Sequence, residues 1–148
     1  LQDGARKRND ERLAPVAGAM QTWVETSGLI DPRLSNASAS FAATPGWECE
    51  DLNRGHIAGE EPGVPCRAYG RCVSCELGST NTSSPIAYAL AVKLREAMER
   101  GRTLMPEHAW LERWQPEFDA LERLIALGFT TQAVTSAYLD IPDLPTVE

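Results

Sequence analysis

The segment Thr44-Pro45-Gly46-Trp47-Glu48-Cys49, followed by Pro65-Cys66-Arg67-Ala68-Tyr69-Gly70-Arg71-Cys72-Val73-Ser74-Cys75, decides how the rest of the chain is read. It holds all four cysteines, with spacings of sixteen, five and two intervening residues. Few side chains between them could build an apolar core. Residues 48–64 are rich in Glu, Asp, Gly and Pro, which predicts loop, and a loop that long inside a compact domain needs something to pin it. A tetrahedral metal site would do so. Thiolates are the soft ligands zinc prefers, and structural zinc sites are commonly built from four cysteines. The two-residue gap of Cys72-Val73-Ser74-Cys75 lets both sulfurs of a tight turn face one ion. Gly70 and Gly78 permit the sharp bends on either side. Cys49 and Cys66 would close the site from across the loop, and His56 could stand in for one of them. Zinc is preferred over an iron–sulfur cluster, which also takes four thiolates, because nothing near the cysteines marks an electron path. Two disulfides are the competing reading. The Asn-x-Ser triplets at Asn36 and Asn81 would suit a secreted chain, but such triplets are common by chance in Ser/Thr-rich stretches.

Working outward, helical periodicity appears on both sides. Before the cysteines, Leu13, Val16, Ala17, Met20, Trp23 and Val24 recur at spacings of three and four, predicting a helix over residues 10–27 that Gly28 and Pro32 end. A basic lead-in precedes it, and residues 32–43 read as linker. Trp47 is expected to cover the cysteines. After them, Ser84-Pro85 has the chemistry of a helix start, Ser as N-cap and Pro in the first position. Ile86, Ala89, Leu90, Leu94, Ala97 and Met98 form its stripe, and Gly101 is expected to stop it. Pro106 opens a third helix with a heavy ridge of Trp110, Leu111, Trp114, Phe118, Leu121, Leu124 and Ile125. Pro116 predicts either a kink or a break there. Glu117, Asp119 and Glu122 read as its wet face. Thr130 or Thr131 can cap a last short helix to about residue 139, and Pro142 and Pro145 keep the tail from being helical. The expected class is mainly α: a small helical domain with an irregular four-cysteine metal knot in a long loop between helices. Its divisions are residues 1–43, 44–78 and 84–148, the last packing with the first helix.

The chain has 148 residues, 43% of them apolar, enough for one domain with a modest core. No run of eighteen apolar residues predicts a membrane span, and the polar, then basic start does not read as a signal peptide. Without an initiator Met, the chain reads as a piece of a larger protein. The formal charge is −7; four bound thiolates and one dication would take it to about −9. That sign argues against a non-specific nucleic-acid binder, and leaves Arg6-Lys7-Arg8 with Arg12 as the one basic cluster that could touch DNA. Catalytic groups are scarce. His56 and His108 are the two histidines, and neither a Gly-x-Ser-x-Gly elbow nor a phosphate-binding Gly loop is present. A metal held by four cysteines keeps no open position, which points to structure rather than chemistry and to no small-molecule substrate.

The pattern Thr44-Pro45-Gly46-Trp47-x-Cys49-x-Asp51, then Pro65-Cys66-x-Ala68-Tyr69-Gly70-x-Cys72-x-x-Cys75, then a helix over residues 110–118, resembles the region downstream of the catalytic core in bacterial phage-integrase-like tyrosine recombinases. The tail Leu144-Pro145-x-Val147-Glu148 is similar to the way such chains finish, and the likeness spans roughly residues 15–148. The resemblance implies a cytoplasmic DNA-integration protein whose partners are DNA, other recombinase protomers, or both. It does not extend to the active site. The family attacks a phosphodiester with a tyrosine supported by Arg and His-x-x-Arg. Here Gly55-His56 is followed by no Arg three residues on, and Pro62, Pro65 and Cys66 intervene before Tyr69. No catalytic residue carries over, and Tyr69 reads as packing. The alternative is a free-standing zinc-stabilised interaction module unconnected with DNA.

Overall fold

The computed structural model describes residues 43–51, 53–55, 60, 62–63 and 66–148. The helix expected over residues 10–27, the basic cluster at Arg6 to Arg12 and His56 lie outside the described residues. Within them the protein is mainly helical.

Strand β1, Trp47–Cys49, pairs antiparallel with β2, Gly78–Thr80, with Trp47 opposite Thr80 and Cys49 opposite Gly78. This pairing ties the two ends of the cysteine segment together. Helix α1, Pro85–Leu104, starts as its chemistry dictates: the Ser84 hydroxyl accepts from the Ala87 amide at 3.2 Å, and Pro85 occupies a first-turn position where no donor is missed. Ala89, Leu90, Leu94, Ala97 and Met98 are buried as their spacing requires. Two expectations fail. Ile86 is 59% exposed, because it sits in the first turn and faces away from the packed side. Gly101 does not stop the helix, which runs on to Leu104. Gly101 is there because the tail crosses the helix at that point: a Cβ would stand 2.6 Å from the Val147 carbonyl oxygen.

Residues 107–128 form one continuous helical run. Helix α2, Glu107–Ala109, widens into a π turn over Trp110–Trp114, narrows to α3, Gln115–Arg123, and widens again over Leu124–Gly128. Of the two expectations for Pro116, the change from one helix to the next is the one seen, at Trp114–Gln115. The π turn hands over to α3 just before the proline, with the Gln115 amide reaching back five residues to the Trp110 carbonyl, so Pro116 falls in the first turn of a new helix. Trp110, Trp114 and Leu121 are buried, while Leu111, expected on the ridge, is 52% exposed because the wide turn rotates it outward. Helix α4, Thr131–Ser136, is capped by the Thr130 hydroxyl and packs Ala133 inward. It ends short of residue 139 because Ala137 is already extended.

The tail, residues 140–148, returns across the helices. Leu144 and Val147 are each only 2% exposed. Tyr69 donates its hydroxyl to the Pro145 carbonyl at 2.6 Å, Arg100 Nη2 donates to the Leu144 carbonyl at 2.6 Å, and Trp114 Nε1 donates to the Glu148 carbonyl at 3.1 Å. Trp47, Tyr69 and Cys72 from the cysteine segment therefore share one apolar core with Leu94, Met98, Trp110, Trp114, Leu121, Leu144 and Val147. Trp47, expected as a cover over the cysteines, is a member of that core. No helix among the described residues is long and apolar enough to cross a membrane.

Candidate functional site

The cysteine segment is held by polar bonds that end on sulfur. Cys49 closes β1 and receives a backbone hydrogen bond from Asp51. Ala68 N–H donates to Cys66 Sγ at 3.4 Å, two residues on. The fully buried Thr44 accepts from the Gly70 amide at 2.9 Å and donates its hydroxyl to Cys72 Sγ at 3.1 Å. Between Cys72 and Cys75 the chain makes a tight turn, with the Cys75 amide 3.3 Å from the Cys72 carbonyl; the Gly78 amide then bonds to the Cys75 carbonyl at 3.0 Å. A side chain at Gly78 would place Cβ 2.5 Å from the Cys72 carbonyl oxygen, so the turn requires glycine. Gly70, at φ +83°, adopts the left-handed conformation that glycine accepts most readily.

All four thiols are free. They are also electrostatic neighbours. Burial pushes the Cys66 thiol up to about 12, with the Ala68 amide pulling it back and Glu60, Cys72 and Cys49 adding to the rise. Burial pushes Cys72 up to about 11; the Thr44 bonds oppose this, and Cys75 and Cys49 reinforce it. Cys49 is raised by burial too, with Cys75 contributing. Cys49, Cys72 and Cys75 thus each make at least one neighbouring thiol harder to ionise, as like charges do. Among the described residues no group of three or more His, Cys, Asp or Glu side chains is arranged so that it could hold a metal ion. The structure does not close the four sulfurs into a ligand shell. As a donor set they suit a soft divalent cation, and the N–H and O–H groups aimed at three of them, Cys49, Cys66 and Cys72, are the ones a thiolate needs once it loses its proton.

One residue at the site was misassigned by sequence reasoning. Glu117 is not on the wet face of its helix; it is 3% exposed. Its carboxylate takes both the amide N–H of Ser74, at 3.2 Å, and the Ser74 hydroxyl. Ser74 lies inside the Cys72–Cys75 turn. Burial raises the Glu117 pKa, against the pull of the Ser74 bonds and of the nearby Arg71 charge. The spacing held the signal: Trp110, Trp114, Glu117 and Leu121 follow each other by four, three and four residues, so Glu117 falls on the buried stripe. His108, by contrast, is exposed.

No protein-family model, curated protein or solved structure matches the chain.

Proposed function

We propose that Cys49, Cys66, Cys72 and Cys75 hold a structural zinc ion, and that the chain is the non-catalytic, zinc-stabilised accessory part of a cytoplasmic DNA integrase or recombinase, contacting DNA or a neighbouring protomer. What supports the metal reading is that all four cysteines are free and that three of them, Cys49, Cys66 and Cys72, receive N–H or O–H donors. On this reading the sulfurs close in around the ion as it replaces their protons, and the binding free energy becomes folding free energy for a segment whose strands are three residues each. Zinc is named ahead of an iron–sulfur cluster because a closed four-thiolate shell supplies cross-linking and leaves nothing free to react. Purified protein should carry one zinc per chain by metal analysis. Chelation should loosen residues 44–80, seen as faster amide exchange there, and Cys72→Ser and Cys75→Ser should each abolish stoichiometric binding. Full metal content in either variant would remove the assignment.

The integrase part rests on the resemblance of the Thr44-to-Cys75 pattern and is tested separately. Duplex DNA binding that weakens as salt rises would support it. The alternative, a zinc-stabilised protein-interaction module, is favoured by the formal charge of −7 and by Leu127 and Tyr138, which are 81% and 69% exposed. Self-association without DNA affinity would favour that reading.

A further inference from the structure

We infer that residues 143–148 occupy a binding groove for an extended peptide, and that the groove's partner is the same tail on a second copy of this chain, the two copies exchanging tails to form a dimer. The inference is independent of the metal reading. Residues 137–148 belong to no helix or strand, yet the tail is held at fixed points. Tyr69 from the cysteine segment, Arg100 from α1 and Trp114 from the π turn donate to the carbonyls of Pro145, Leu144 and Glu148. Side chains from three elements distant in sequence thus converge on one main chain. Main-chain bonds of this kind hold an extended peptide, and pockets for its side chains select it. Leu144 and Val147 are the anchors, both buried. The place for Val147 is open because glycine stands on two sides of it. A Cβ at Gly70 would come within 3.3 Å of one Val147 methyl, and a Cβ at Gly101 within 2.8 Å of the other. Pro145, between the anchors, brings no N–H for the groove to satisfy. None of these contacts depends on which chain supplies the tail. Residues 137–142 join it to α4; they start with Ala137 in an extended conformation and leave Tyr138 and Leu139 exposed. Tail exchange keeps every contact in the groove, which is why swapping an identical element is a low-cost route to a dimer. It also brings two such links side by side, where the exposed apolar side chains find a partner.

The test is sedimentation of the full chain across concentration. A tethered tail competes for its own groove at an effective concentration on the order of millimolar, so wild type should be a monomer when dilute and show a dimer as it approaches that concentration. An excess of a synthetic peptide of residues 143–148 should dissolve the dimer by filling the groove. Deleting residues 138–140 removes about 10 Å of reach and should tighten dimerisation about a hundredfold or more, because the tail no longer competes from within its own chain. The Trp114 indole N–H resonance of that dimer should stay at the wild-type position, since Glu148 of the second copy accepts the same bond. Val147→Asp in the deletion variant should return it to monomer. The absence of a wild-type dimer at concentrations on the order of millimolar overturns the inference, as does a dimer that the peptide leaves intact or a deletion variant that stays monomeric. A deletion dimer that survives Val147→Asp, or whose Trp114 resonance is displaced, also overturns it, for it is then held by exposed apolar side chains such as Leu127 and Val134 rather than by tails. If the deletion variant fails to fold, the wild-type dimer and its response to the peptide decide the matter.

Discussion

Residues 43–80 and residues 85–136 share one core but are held by different means. The helical part repeats apolar side chains at helical spacing and satisfies its backbone within each helix. Among the described residues the cysteine part has two three-residue strands and local turns, and is tied down by single bonds between distant groups, among them Thr44 to Gly70 and Cys72, Ser74 to Glu117, and Tyr69 to Pro145. The first kind of order is local and redundant. The second is non-local and made of contacts that occur once, so it is more exposed to single changes and more open to control by a ligand.

The sharpest way to break the contrast is to damage the helical part. Leu94 is fully buried, and Leu94→Ala should cost about 2–5 kcal/mol in urea unfolding, by the same amount with and without a chelator. A chelator-dependent loss would mean the two regions do not differ as described. Gly101→Ala tests the joint between them. Its Cβ would meet the Val147 carbonyl oxygen at 2.6 Å and displace the tail, with an expected loss of about 1–3 kcal/mol. The Trp114 indole N–H resonance should shift as its bond to the Glu148 carbonyl is broken; an unshifted resonance would show that the tail accommodates the methyl.

The smallest effect belongs to Lys93, which reaches Asp143 at 3.2 Å and Glu96 at 3.5 Å from the surface of α1. Burial works to lower its pKa, but the Asp143 hydrogen bond and the charges of Glu96 and Asp143 outweigh it, so the pKa ends above its ordinary 10.5. A folded pKa above the unfolded one means that the contribution is complete below pH 10.5 and is lost as the pH rises through the raised value. Lys93→Met should therefore cost under about 1 kcal/mol at neutral pH. Its deficit against wild type should shrink in strong alkali and at high salt. A deficit unchanged by either would assign the loss to packing of the lysine stem.

Legibility in the sequence followed the same division. Ser84-Pro85, the stripe from Ala89 to Met98, the Trp110/Trp114/Leu121 ridge and the Thr130 cap were readable because each depends on neighbours three or four residues away. Gly101 was misread as a stop because glycine signals both helix ends and close approaches, and the partner that decides between them lies 46 residues on in the tail. Glu117 was misread because its charge outweighed its place in the stripe. Leu144 and Val147 were missed because a proline-rich tail carries no period to reveal burial. The Thr44 bond to Cys72 and the Ser74 bonds to Glu117 carried no signal in the spacing of the cysteines.

The placement of Val147 against Gly70, Gly101 and Trp114 has a bearing on biosynthesis. A ribosome that has already made the thiols and the long first helix has not yet delivered the wedge that locks one onto the other. This unit therefore closes only once Leu144 and Val147 have been made. Until then its two glycine-lined seats stand open, and removing residues 144–147 would forfeit the seal between its halves.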